Sequence, residues 1–541
     1  MSVIINGNKM EYKEGIRVID LIDNSDKGII SCKINGKLRD LYYLIKDEDK
    51  IDLLGFEDED SVRVYEASLR YLLAMAAKEI LPNDKVHCDY YISRSICFKK
   101  HGGLFSEDEF IRIKSKLKDI IAKDYLILRK SVDLETATNY YKNNGFEDKV
   151  EVYKYRDKDE EVHLYNCNGY VNYTYSYMVP STGYLNKYNL IFHKGKILLQ
   201  YPRADMDGHI PPFKLENTYE EMLEISEKWG KSVGSLTVSD INKNVEKNSS
   251  EFIRKCEERH KVLIKKLGEE ITSRGNIKLI AIAGPSSSGK TTFSNKLRTE
   301  LESRGIFPVK ISMDDYYLDR SGLTPEEERE IDYEDINLID IELFNEHLKQ
   351  LSKGEAVTLP RFNFVTKKRE VGKTIKLGKN EPIIIEGIHA LNEILTRSLP
   401  REEKYEIYIG PHVQINLDDH TPISVTHLRL IRRMVRDYLF RGSDISRTLS
   451  MWQSVRKGEF KWIYDNQEGV DFVYNSVLDY EFCVMKKYAI PLLKKVDKDS
   501  SYYNLSKTLV KYLKYFVDIE DSDIPSDSLL REFIGGSCFK E

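Results

Sequence analysis

The sequence predicts a multidomain α/β chain in three main parts: a β-grasp module, an α+β block, and a parallel-sheet domain carrying a phosphate-binding loop. Three observations predict it. At 541 residues the chain exceeds what one hydrophobic core holds, since cores stop growing near ~250–300 residues. Near the start, Asn6-Gly7 and Asn35-Gly36 punctuate short apolar runs as hairpin turns do. Past the midpoint, IKLIAIAG leads into a Gly-rich loop and then the helical KTTFSNKLRTELESRG, the strand–loop–helix order of a phosphate site.

Each part follows from its own pattern. In residues 1–62, SVII and IISCKI supply hairpin strands, VIDLIDNS has helical spacing, and DKIDLLGF reads as a closing strand. Residues 63–215 open with the helical SLRYLLAMAAKEIL and DEFIRIKSKLKDIIA and continue into the strand-like, Tyr-rich YVNYTYSYMV and YNLIFHKGKILLQY. Residues 216–275 form a helical linker, in which the polar NKNVEKNSS separates two amphipathic helices and marks a boundary. Residues 276–500 add PVKISM, PIIIEG and YEIYIG to IKLIAIAG as short buried strands of a parallel sheet. Residues 501–541 are a tail expected to dock on the domain before it.

Composition removes several function classes. The net charge of −5, from 83 Lys+Arg against 88 Asp+Glu, gives no global field for a nucleic-acid backbone. Seven cysteines without a CxxC pair argue against a disulfide scaffold or a zinc ribbon. The start, MSVIINGNKMEYKEG, lacks a signal peptide's basic and apolar regions, and no run approaches the ~18 apolar residues of a membrane span. A soluble, cytoplasmic protein with no membrane partner is expected.

The chemistry concentrates after residue 280. Gly284, Gly289, Lys290 and Thr291 satisfy GxxxxGK[ST], with Ser286, Ser287, Ser288 and Thr292 completing the loop. Backbone N–H groups in such a loop close round phosphate oxygens, the Lys reaches the β/γ-phosphates and the hydroxyl binds Mg²⁺. The part is therefore expected to be a P-loop NTPase domain. Asp314 and Asp315 follow the second strand, at the carboxyl edge where open α/β sheets bind ligands; Asp314 there can accept a hydroxyl proton or merely cap a turn. Glu386 ends PIIIE like a Walker B acid for Mg²⁺, or makes a strand-end solvent contact. Arg429, Arg432, Arg433 and Arg436 share one helix face by their i, i+3, i+4, i+7 spacing, with Arg441 just beyond. Such a stripe is a solvated face, or it neutralises a transferring phosphoryl group.

The segments GPSSSGKTT, SMDDYY, IDYEDINLID, LPRFNF, IIIEGIHALN and the Arg-rich helix together resemble the uridine kinase and phosphoribulokinase family of P-loop kinases, over roughly residues 276 to 500. The resemblance implies ATP and Mg²⁺ as cofactors, a hydroxyl-bearing small-molecule acceptor, Asp314 as general base beside Lys290, and Asp335 and Arg429 as ligands of acceptor hydroxyls. It also implies a closing lid carrying Arg432, Arg433, Arg436 and Arg441, and puts Tyr317 at the acceptor. Pyrimidine nucleoside kinases usually carry Tyr, Asp and a later His after LP, where this chain has Phe362, Asn363 and Lys367. Phe362 can stack on a base but cannot donate a phenolic hydrogen bond. Lys367 and Arg369 add two cations, which suits an anionic acceptor.

The front resembles the amino-terminal portion of threonyl-tRNA synthetase: a TGS module, then a block similar to its editing domain. Tyr71 and Met75 stand where that domain has its His pair, and Cys167 has no His beside it, so the resemblance implies the fold without hydrolytic editing. A homo-oligomer is expected, with RNA contact through the front half the less favoured partnership. The alternative to a kinase is a nucleotide-dependent regulatory or RNA-associated protein with the loop as a switch.

Overall fold

The computed structural model describes the chain except residues 1, 24–26, 158, 320–321, 323, 325–334, 364–365, 465–466 and 540–541. At the front, β1 (Ser2–Ile5) pairs with β2 (Asn8–Glu11) and β3 (Ser31–Ile34) with β4 (Lys37–Arg39). Both Asn-Gly turns hold both residues at positive φ, 46° and 84° in one and 49° and 75° in the other, the mirror-image turn whose twist matches the strands. Between the hairpins runs β5 (Lys50–Leu54), parallel to β1 and antiparallel to β3. Within VIDLIDNS the described residues, 18–23, form a 3₁₀ turn, Val18–Leu21, closed by the Asp20 carboxylate accepting the Arg17 N–H at 2.8 Å.

Asp58 caps α1 (Glu59–Ile80) by accepting the Asp60 and Ser61 N–H groups, so the boundary expected after residue 62 lies one turn inside this helix. Behind α1 stand β6 (Val86–Ile92) and β7 (Ser95–Lys100), followed by α2 (Glu107–Ala122) and β8 (Ile127–Val132). The helices α3 (Leu134–Asn143) and α4 (Glu147–Tyr153) precede β9 (Val162–Cys167), β10 (Tyr170–Tyr173), β11 (Asn189–His193) and β12 (Lys196–Gln200). These strands make two sheets, of order β11-β12-β7-β6 and β10-β9-β8.

The expected linker is core. After α5 (Asn217–Val233), α6 (Val238–Arg274) spans NKNVEKNSS as two helical halves that meet at a kink. The polar segment is thus a kink and not a boundary: Asn248 leaves helical geometry and its Oδ1 accepts the Glu251 N–H at 3.0 Å, capping the second half. Ile264, Leu267 and Ile271 of that half pack on Phe293, Leu297 and Leu301 of α7 (Lys290–Glu302).

The following sheet is parallel, ordered β14-β17-β13-β18-β21, with β13 (Leu279–Ala283) at its centre. Its other strands are β14 (Val309–Ser312), β17 (Ile383–Gly387), β18 (Lys404–Gly410) and β21 (Phe472–Asn475). Side chains alternate across β13: Ile280 and Ile282 face α6 and α7, while Leu279, Ala281 and Ala283 join a core that includes Tyr90, Ile92 and Leu198 of the α+β block. Inserted between β14 and β17 are α8 (Ile341–Ser352) and a hairpin of β15 (Ala356–Asn363) and β16 (Lys368–Lys376). A second hairpin, β19 (Asn416–Asp418) with β20 (Thr421–Pro422), reaches the α+β block. There Cys88 N–H donates to Asp419 O at 2.7 Å and the buried Lys149 meets Asp418 at 2.9 Å. The chain closes with α9 (Val425–Phe440), α10 (Ile445–Trp462), α11 (Glu481–Leu493), α12 (Tyr503–Lys514) and a tail whose Leu529, Leu530, Phe533 and Ile534 are buried in the same core as α9 and α11.

Candidate active site

The loop leaves the carboxyl end of the central strand, where strand order reverses, the position at which open α/β sheets bind ligands. Gly284 is required by packing: a Cβ there would lie 2.0 Å from the Ile409 carbonyl of β18. Gly289 takes φ 90° to turn the chain into α7. Lys290 and Thr291 begin that helix, and the Lys290 ammonium folds back on the carbonyls of Gly284 and Pro285 at 2.8 and 3.1 Å. The surrounding protein strips water from this ammonium and pulls its pKa down to about 8, against the raising effect of Glu386 and Glu532. The hydroxyls of Ser287 and Ser288 are buried without a hydrogen-bond partner among the described residues, as donors meant for a ligand would be.

Two carboxylates approach the loop from neighbouring strands. Asp314 lies in the 3₁₀ turn Met313–Tyr316 that follows β14. Its side chain opens on the cleft, yet the protein around it, then Asp315 and Glu386, raise its pKa while Lys290 lowers it. Asp315 is turned aside, accepting the Phe362 N–H at 3.2 Å. Glu386 ends β17 and pairs through one oxygen with Lys310 of β14; its other oxygen is buried without a partner among the described residues.

The acceptor side is built by the inserted elements. Tyr317 and Phe362 meet edge to face at 5.6 Å, with Phe362 buried and Tyr317 half-buried. Asp335 caps a 3₁₀ turn through the Asn337 N–H at 2.9 Å and faces Lys461 of α10 at 3.4 Å; these contacts hold its carboxyl below the ordinary range. The stretch 331–334 of the same motif lies outside the described residues. Lys367 stands in the β15–β16 turn at φ 57°. Arg369 is ion-paired with Asp340 at 2.6 Å, so one of the two expected cations is already neutralised.

The arginine helix departs most from expectation. Arg429 and Arg432 are fully buried in α9, where a lid or an acceptor ligand would have to reach solvent. Arg429 is paired with Glu459 of α10, and its Nε and Nη2 donate to Ser286 O at 3.1 and 3.0 Å. Arg432 makes a two-pronged pair with Glu481 of α11 at 2.7 and 2.8 Å and reaches Ser287 O at 3.4 Å. Four of the five Arg429 N–H groups and all five of Arg432 are engaged by buried carboxylates, loop carbonyls and Ser476, so in this structure the expected acceptor role of Arg429 and lid role of Arg432 are corrected: both residues buttress the loop. Arg433 donates to Ser286 Oγ at 2.7 Å. Arg433, Arg436 and the exposed Arg441 share Asp437, at 3.3, 2.9 and 3.6 Å. Glu459, Glu481, Lys310 and Lys461 escape a sequence reading because their partners are distant in the chain.

In the front half, Tyr71, Met75 and Cys167 are all buried in the core shared with the β-grasp sheet. The Tyr71 hydroxyl donates to the carbonyls of Tyr165, at 3.2 Å, and Tyr170, and burial pushes the Cys167 thiol up to about 11. A dry, protonated thiol of this kind is inert.

Fold and loop together define a P-loop phosphotransferase domain. The model of the phosphoribulokinase/uridine kinase family matches residues 279–479. A uridine kinase of Staphylococcus haemolyticus is 33% identical over 182 residues, covering 34% of this chain and 79% of that one. The chain belongs to this family. A threonine–tRNA ligase of Syntrophomonas wolfei is 28% identical over 185 residues in the front region, 33% of this chain but 29% of the ligase, so the chain spans under a third of that relative. A solved structure described as a possible uridine kinase from Bacillus stearothermophilus is 19% identical, covers 40% of this chain and 100% of its own, and has a TM-score of 0.25. Among the described residues no helix is long and apolar enough to cross a membrane.

Proposed function

We propose that this chain passes the γ-phosphoryl group of ATP, with Mg²⁺, to a hydroxyl of a nucleoside or a related small metabolite. The observation that carries the reading is the convergence of Lys290, Asp314 and Glu386 on one sheet edge, from β13, β14 and β17. Thr291 and the unpaired oxygen of Glu386 would hold Mg²⁺, which when bound neutralises phosphate charge. Lys290, released from its two carbonyls, reaches the phosphates, and the N–H groups opening α7 bind their oxygens. Asp314 accepts the acceptor's hydroxyl proton as that oxygen bonds to the γ-phosphorus and the bond to the β-phosphate oxygen breaks.

Charge on the acceptor side favours a neutral, hydroxyl-rich molecule. Among the described residues there, Asp314, Asp315 and Asp335 supply carboxylates and Lys367 an ammonium, while Arg369 and Lys461 are ion-paired with Asp340 and Asp335. The half-buried Tyr317 ring, braced edge to face by the buried Phe362, supplies an apolar surface for a base. The test is acceptor-dependent ADP release with nucleosides, nucleotides and pentose phosphates. Turnover with a nucleoside supports the reading; turnover only with a phosphorylated acceptor overturns its charge argument.

A further inference from the structure

The carboxyl-terminal tail lies across the start of the phosphate-loop helix. Thr292 is the third residue of α7, and its N–H is one of those a helix cannot pair internally and a phosphate oxygen would take. That N–H donates instead to Oε2 of Glu532, at 3.1 Å, from the short helical turn Arg531–Ile534. Leu529 covers the loop glycine: a Cβ on Gly289 would come within 2.6–2.7 Å of three of its side-chain carbons. Further along α7, Lys296 Nζ holds Asp527 by its carbonyl at 2.7 Å and its carboxylate at 3.0 Å. Phe533 lies against the Arg432 guanidinium at 5.0 Å, one step from the Ser287 carbonyl that Arg432 supports.

We propose that this segment is a tethered competitor of the nucleotide, the Glu532 carboxylate standing in for a phosphate oxygen at the Thr292 N–H and Leu529 closing the loop above Gly289. The inference rests on the kinase reading and adds regulation to the same site.

Its chemistry makes the segment displaceable. Glu532 is a half-buried acid held by the backbone N–H and the side chain of Thr292, with Arg436 and Lys290 as cationic neighbours; the surrounding protein raises its pKa, against the pull of those groups. A polyphosphate offers the same N–H and the same cations several charged oxygens in place of one carboxylate. The segment is also pinned at both ends. Arg531 donates to the carbonyls of Asp521 and Ile524 at 2.7 and 2.6 Å, and Gly535 at φ 88° turns the chain under Phe440. Release of Glu532 can therefore be local, with the anchor at residues 521–524 kept.

The experiment is Mg-ATP binding to the full chain by calorimetry, without acceptor, for the wild type, Glu532→Gln, Asp527→Asn and Lys290→Ala. Glu532→Gln keeps the shape and removes the competing charge, and Asp527→Asn loosens the Lys296 anchor away from the phosphate cradle. Both should bind Mg-ATP tighter than wild type, Glu532→Gln by about tenfold, the equivalent of ~1.4 kcal/mol. In the wild type, saturating Mg-ATP should speed amide exchange across residues 525–536. Equal or weaker binding by both variants, with exchange slowed or unchanged, overturns the competitor while leaving the nucleotide site standing. If no variant binds Mg-ATP and Lys290→Ala resembles the wild type, the nucleotide reading fails and takes the competitor with it.

Discussion

Asp314 can take a proton only as a carboxylate, and Lys290 can hold phosphate charge only as an ammonium, so these two residues frame the pH response. The protein around Asp314 and the neighbouring Asp315 and Glu386 raise its pKa, so the base is lost as pH falls through that raised value. Lys290 is lowered to about 8, so its charge is present below that pH and is lost as pH rises through it; a bound polyphosphate pushes the value back up. The expected kcat/KM profile is a bell whose alkaline limb lies at about pH 8 or above. Asp314→Asn should cut kcat by a factor of about 10²–10⁴ and erase the acid limb, while leaving nucleotide binding in place. Full activity in that variant would assign the base elsewhere.

The helix α9 shows how an element can carry the expected residues in unexpected roles. Its four arginines were legible from spacing, but spacing says only that they share a face; Arg429 and Arg432 turn inward on Glu459 and Glu481, while Arg433 and Arg436 pair with Asp437. A buried pair costs most when half of it is removed: Glu481→Ala should destabilise the chain by about 3–5 kcal/mol in urea unfolding, because Arg432 stays buried and charged. Replacing Arg432 and Glu481 together by Met and Leu should restore much of that loss, and failure to do so would make the pair more than a packing device. The strands, the loop and the Asn-Gly turns were readable because their determinants are local: apolar runs, glycines, positive-φ residues. The NKNVEKNSS segment breaks the helix at Asn248, as its polarity suggests, but packing of Val238, Ile241, Val245 and Phe252 on either side of the kink holds it in the core, which local polarity does not reveal.

At the scale of the whole molecule the two halves share buried surface. Tyr90, Ile92 and Leu198 of the α+β block sit in the kinase sheet's core, and Lys149 and Asp418 are buried against each other. A chain starting at residue 250 would lose the first half of α6 and uncover the β19–β20 hairpin, so it should be less soluble and melt lower than the full chain; matching stability would show that the front half is dispensable to the fold. This union was not visible in sequence, where each half reads as complete and contacts such as Asn416 to the Cys88 carbonyl, at 2.7 Å, join residues over three hundred positions apart. The account's central claim is that one edge of the parallel sheet transfers phosphate to a neutral acceptor with Asp314 as base. The measurement that tests it most directly is nucleoside-dependent ADP release from Mg-ATP by the full chain beside Asp314→Asn. The account predicts release that depends on the nucleoside and falls by a factor of about 10²–10⁴ in the variant; no acceptor-dependent release, or release that the variant retains, would contradict it.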